Sequence, residues 1–122
     1  MGLFDFLKPV KAQTIASSKD AMVIEQLEIH GSNLSKPHNI DFFFFYLPDQ
    51  ITAENLAQVL SRDGFEVSVS ESTDENSSDY TVQAVKSLVP DLSKLESLRI
   101  CFEDLAKRYG GEYDGWGTNV VE

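Results

Sequence analysis

Few residues in this chain could do covalent or acid–base chemistry, and their spacing works against it. There is one cysteine, Cys101, and two histidines, His30 and His38, eight positions apart. A zinc site needs three or four such ligands converging from short spacings. Neither a Cys-x-x-Cys nor a His-x-x-x-His pair occurs. There is also no Ser–His–Asp order, no Cys–His pair and no glycine loop opening a helix. His30 falls at a predicted helix end, where a cation complements the dipole, and His38 leads into a strand. Cys101 lies beside an apolar helical stripe and reads as core filler. Asp41, beside an aromatic run, and Asp114, among glycines, are the carboxylates closest to a catalytic setting. A strand-edge or turn aspartate is the ordinary account of both. The expectation is a non-enzyme with no metal and no cofactor.

The densest cluster of unusual residue types is instead Gly110-Gly111-Glu112-Tyr113-Asp114-Gly115-Trp116-Gly117-Thr118, which holds the single Trp and four of the seven Gly. Glycines this dense are costly in backbone entropy, so they point to conformations or close approaches that a Cβ would block. Trp116 then has two readings, packing on the sheet beside a bulge or anchoring a partner. Both stay open on the residues alone.

The elements that must position these residues follow from periodicity. Ser17 or Ser18 caps a helix over residues 19–30, with Met22, Val23 and Leu27 as its apolar face and Gly31 as its stop. Residues 40–47 form the clearest strand, closed by Pro48-Asp49. Thr52 caps a helix to residue 63, with Ala53, Leu56, Ala57 and Leu60 on one face. Residues 65–70 alternate strictly as a half-buried strand, and a polar acidic loop over residues 73–79 turns into a strand over residues 80–89. Pro90-Asp91 opens the longest helix, with Leu92, Leu95, Leu98, Phe102, Leu105 and Tyr109 in one stripe. Arg99, Glu103, Asp104, Lys107 and Arg108 form i,i+4 pairs on its solvated side. Gly110-Gly111 ends it, and residues 112–121 make the last strand.

The order is a helix followed by β-α-β-β-α-β. This is the ferredoxin-like α+β pattern, a four-stranded antiparallel sheet in order 4-1-3-2 with two helices on one face, here with an extra N-terminal helix. Strand one becomes central, and its composition suits a strand covered on both sides. Ile40, Phe42, Phe44 and Tyr46 point one way; Phe43, Phe45 and Leu47 point the other. The helix over residues 19–30 is the favoured cover for the second set, with a partner or a second copy as the other candidates.

With 122 residues the chain suffices for one domain. The net charge of −10 argues against a phosphate-binding surface. RNA-binding domains of this topology stack bases on sheet aromatics, but the third strand lacks a matching aromatic pair, so direct nucleic-acid binding is not expected. The charge reads first as solubility and second as attraction to a basic partner. One cysteine excludes an internal disulfide and fits a reducing compartment. No stretch approaches the roughly 20 apolar residues of a membrane span. Residues 1–16, with Leu3, Phe4, Phe6 and Leu7, read as a loosely attached apolar lead-in to a single domain over residues 17–122.

The segment Glu112-Tyr113-Asp114-Gly115-Trp116-Gly117-Thr118 resembles the C-terminal motif of the RraB-type regulators of ribonuclease E. The preceding helix, with Leu105-Ala106 followed by an aromatic near its end, and the acidic balance fit as well. The resemblance spans roughly residues 17–122. It implies a ferredoxin-like domain, a cytoplasmic bacterial protein and no catalysis. It also implies binding to ribonuclease E that modulates RNA degradation. The residues expected to serve a protein partner are Tyr113, Asp114 and Trp116, with Glu71, Asp74, Glu75 and Asp79 as an acidic rim. The protein is expected to be a monomer, with a homodimer through Phe43 and Phe45 as the other option. The alternative function is a small-ligand-binding domain or enzyme with a pocket over the aromatic strand, between the sheet and the leading helix.

Overall fold

The computed structural model describes residues 18–74 and 77–122. The apolar lead-in, Ser17 and Glu75 lie outside the described residues. The elements in chain order are α1 (Lys19–Ile29), β1 (His38–Leu47), α2 (Gln50–Arg62), β2 (Glu66–Glu71), β3 (Tyr80–Leu88), α3 (Leu92–Arg108) and β4 (Glu112–Gly117). The strands form one antiparallel sheet in the order β2-β3-β1-β4, as the element order predicts.

Each helix begins where a side chain can accept an orphan backbone N–H. Ser18 accepts from the Ala21 amide, Asp49 from Thr52 and Asp91 from Lys94. Asp49, not Thr52, is the cap of α2, so this helix starts at Gln50. Its carboxylate receives the Thr52 N–H at 2.7 Å, and that bond holds its pKa below the ordinary value.

One face of the sheet carries the core. Ile40, Phe42, Phe44 and Leu47 of β1 are buried with Val82 and Ala84 of β3, Leu56 and Leu60 of α2, and Leu95 and Phe102 of α3. Phe102 is the hub, with its ring centroid 5.2–5.7 Å from those of Phe44, Phe42, Tyr113 and Phe65. These edge-on and tilted geometries suit the ring quadrupole.

Strict alternation along β1 fails at its end. Pairing with β3 shifts register between Phe44 and Leu47, and Tyr46 adopts φ 63°. The irregularity turns Leu47 into the core and leaves Tyr46 58% exposed, the reverse of what alternation predicts. A left-handed backbone costs a non-glycine residue roughly 1–2 kcal/mol.

The leading helix is also placed differently from the expectation. α1 packs against α3 and β4 on the core side of the sheet, extending the helical layer rather than covering Phe43 and Phe45. A pocket between α1 and the aromatic face therefore does not exist. Cys101 is exposed, not core filler, because the buried stripe of α3 runs through Leu95, Phe102 and Ala106 and leaves it on the wet side. β4 ends at Gly117, short of the predicted residue 121.

Candidate protein-binding surface

The aromatic–glycine segment is built around a bulge. β1 residues Phe43 and Phe44 face Gly115 and Tyr113, so Asp114 is the extra residue on β4. Gly115 takes φ +104°, a conformation that side chains resist. Gly111 answers a different need: a Cβ there would sit 2.6 Å from the Phe45 carbonyl oxygen and 2.8 Å from a Leu47 methyl. The helix-to-strand turn can lie this close to β1 only with glycine.

The bulge sends Tyr113 and Trp116 to the same side, toward the helices. Tyr113 lies 5.3 Å from the Phe44 ring and 5.5 Å from Phe102. Burial, with the negative charge of Asp20 nearby, pushes its phenol well above the ordinary tyrosine range. Trp116 sits opposite Phe42 and is 8% exposed. Its indole Nε1–H donates to Asp20 Oδ1 at 2.8 Å. The other oxygen of Asp20 accepts from Arg99 Nε at 3.0 Å. Asp20 is 1% exposed and lies in the first turn of α1, where the helix dipole favours an anion. Ser18 adds a bond to Glu96 of α3 at 2.9 Å. These polar bonds fasten α1 to β4 and α3. The cleft they leave, lined by Lys19, Val23, Glu103 and Asp114 among others, measures about 140 Å³. That is smaller than the ~300–1,000 Å³ typical of small-molecule sites.

The acidic rim lies elsewhere. Glu71 ends β2, and Asp74 and Asp79 belong to the β2–β3 hairpin loop. The sheet order puts β2 and β4 at opposite edges, so the tertiary fold does not gather Tyr113, Asp114 and Trp116 with the hairpin acids. Among the proposed contact residues of β4, Asp114 is exposed while Tyr113 and Trp116 are committed largely to packing. The hairpin is braced by its own serines: Ser77 Oγ donates to Asp79 Oδ2 at 2.7 Å, and the Asp74 amide donates to Ser72 Oγ at 3.2 Å. Together with Phe45 and Tyr46 the hairpin walls an open groove of about 800 Å³. Tyr80, at its base, has its phenol pushed above the ordinary range by burial and by the Glu71, Asp49 and Glu54 carboxylates.

Charge is more concentrated than its spread along the chain suggests. Residues 38–85 hold nine of the twenty acids and one of the ten bases, a net −8 of the total −10. Among the described residues, no group of three His, Cys, Asp or Glu could hold a metal ion.

Sequence reasoning did not single out Asp20 and placed Arg99 on a solvated face. The one available signal for Asp20 was its place in the first turn of a capped helix, and that does not name its partner. It also missed a Ser–His contact. Ser32 Oγ lies 2.6 Å from His38 Nε2, and His38 Nδ1 donates to the Lys36 carbonyl at 2.8 Å. Both residues are buried, and Ser32 Oγ also accepts the Val121 N–H at 2.9 Å. The pair therefore pins the C-terminal tail to the α1–β1 connection instead of presenting a nucleophile.

No curated protein matches the chain. A family profile described as Regulator of ribonuclease activity B, RraB, matches residues 17–118. The match takes in all seven elements and ends on the threonine of the Glu112–Thr118 motif. This chain belongs to the RraB family, regulators of ribonuclease activity.

Proposed function

We propose that the protein is a non-catalytic, acidic, protein-binding regulator, acting on ribonuclease E in a bacterial cytoplasm and thereby altering RNA degradation. The observation that carries this reading is the family match over residues 17–118. Two features support it. The buried polar groups serve the scaffold: His38 is held by Ser32 and the Lys36 carbonyl, and Asp20 by Trp116 and Arg99. The charge of −10 favours steered encounter with a basic polypeptide and disfavours direct contact with RNA. No helix among the described residues is long and apolar enough to cross a membrane.

The test is titration of purified protein into ribonuclease E at low and moderate salt, with cleavage of a structured RNA followed in parallel. Binding that weakens as salt rises, together with a changed cleavage rate, is the expected result. Absence of binding at low salt would overturn the reading.

A further inference from the structure

The α1, α2 and α3 helices share one side of the sheet, and among the described residues no element packs over the other side. That open face has an apolar centre. Phe43 and Phe45 are half-buried and stack on each other, with ring centroids 6.2 Å apart and planes 13° from parallel. β4 offers no side chain beside Phe43 and only Glu112 beside Phe45: Gly115 lies opposite Phe43, Gly117 opposite Asp41 and Glu112 opposite Phe45. A Cβ at either glycine would meet nothing within 4 Å. The result is a bare strip of backbone beside the Phe43 ring, with Glu112 at the Phe45 end.

The rim of this face has one sign. The pleat directs Asp41, Glu66 and Glu112 to it, and no Lys or Arg. Gln83 crosses beside Phe43 and donates to Asp41 Oδ1 at 2.8 Å. The carboxylates are spread around the rings rather than gathered at a point, and none of them forms a metal-binding group. Spread anions around an aromatic centre suit a ligand with several cations along a chain. Guanidinium fits both parts, because it stacks on aromatic faces and bonds carboxylates in a fork. A second copy of this chain fits poorly, since it would bring acidic rims together between two molecules of charge −10.

We propose that the open sheet face centred on Phe43 and Phe45 docks an arginine-rich segment of the protein partner, its guanidinium groups meeting Asp41, Glu66 and Glu112. This rests on the protein-binding reading above and names the surface and the chemistry of the segment it receives.

The experiment uses the full chain, isotope-labelled, and a synthetic peptide of alternating arginine and leucine as probe, with an alternating glutamate–leucine peptide as control. Amide shifts on adding the arginine peptide are expected to cluster at Phe43, Phe45, Gln83, Gly115 and Gly117. Phe45→Ser and the double variant Glu66→Lys, Glu112→Lys, each checked for a native spectrum, are expected to weaken binding roughly tenfold or more. Shifts clustered on the hairpin loop or on α1, or undiminished affinity in both variants, would overturn the proposal. So would no binding of the arginine peptide, or equal binding of the control. A concentration-dependent doubling of mass that Phe45→Ser abolishes would overturn it too, by assigning the face to a second copy. A parallel titration with ribonuclease E separates the two readings. Wild-type binding to the enzyme that both variants retain sinks the surface and leaves the regulator. Peptide binding at this face without enzyme binding sinks the named partner and keeps the surface.

Discussion

Asp20 and Trp116 are 96 positions apart and share a buried hydrogen bond of 2.8 Å. The same carboxylate receives Arg99, so one side chain ties α1 to both β4 and α3. Asp20→Ala leaves the indole N–H and the guanidinium without their acceptor. The expected cost is about 2–4 kcal/mol. Asp20→Asn keeps an acceptor for the indole but turns donors toward Arg99, so its loss should be smaller. Urea midpoints rank the two. Emission from the single Trp should shift to the red in Asp20→Ala as α1 loosens. Equal midpoints for both variants and wild type would show that the pair contributes no net stability.

Phe102 touches four aromatic rings from β1, β4 and the turn before β2. Phe102→Ala should cost about 3–5 kcal/mol through lost burial and the cavity left behind. Phe102→Leu should cost clearly less. Thermal melts of the two variants check the order.

Gly111 and Gly117 make a matched pair. Gly111→Ala drives a Cβ against the Phe45 carbonyl, a backbone atom that cannot step aside, and is expected to destabilise by several times as much as any gain seen at Gly117. Gly117→Ala meets open space and should be neutral or stabilising by about 0.4–1 kcal/mol. Equal denaturation midpoints for the two variants would refute the close-approach argument.

Tyr46 holds φ 63° while its ring stands in solvent. Tyr46→Gly removes the left-handed penalty of roughly 1–2 kcal/mol and adds the unfolded-state entropy of glycine, roughly 0.5–1 kcal/mol. Its stability should therefore equal or slightly exceed wild type, although a large aromatic has been deleted. A marked loss of stability in a urea melt would mean that the ring packs on something that matters.

Tyr113 gives a pH dependence with a definite sign. Its folded pKa is raised, chiefly by burial and then by Asp20. An unfolded tyrosine ionises near pH 10. Above that value the unfolded chain releases a proton that folded Tyr113 keeps, so stability falls as pH rises. Below it the contribution is fully present. Tyr113→Phe should flatten the alkaline fall in urea midpoint, and Tyr80, raised by burial and Glu71, carries a smaller remainder. An unchanged alkaline slope in Tyr113→Phe would move the effect to another group.

The layout of the chain was legible in its residues because it rests on local chemistry. Periods of 3.6 and 2, caps such as Ser18 and Asp91, and stops such as Gly31 and Gly110 place the seven elements and their order. That order limits the sheet to β2-β3-β1-β4. The bulge at Asp114 was foreshadowed by glycines beside a tryptophan.

What the tertiary structure decided depends on groups brought together from far along the chain. Asp20 looks like any acid at a helix start until Trp116 and Arg99 arrive beside it. The side of the sheet that α1 takes is set by that polar bond and by Leu27 entering the shared core, neither of which periodicity encodes. A register shift swapped Tyr46 and Leu47, since alternation holds only while the ladder is regular. Among the described residues, the same placement of α1 leaves Phe43 and Phe45 uncovered with acids around them. A surface of that kind is defined by what does not cover it, and only the assembled fold specifies that.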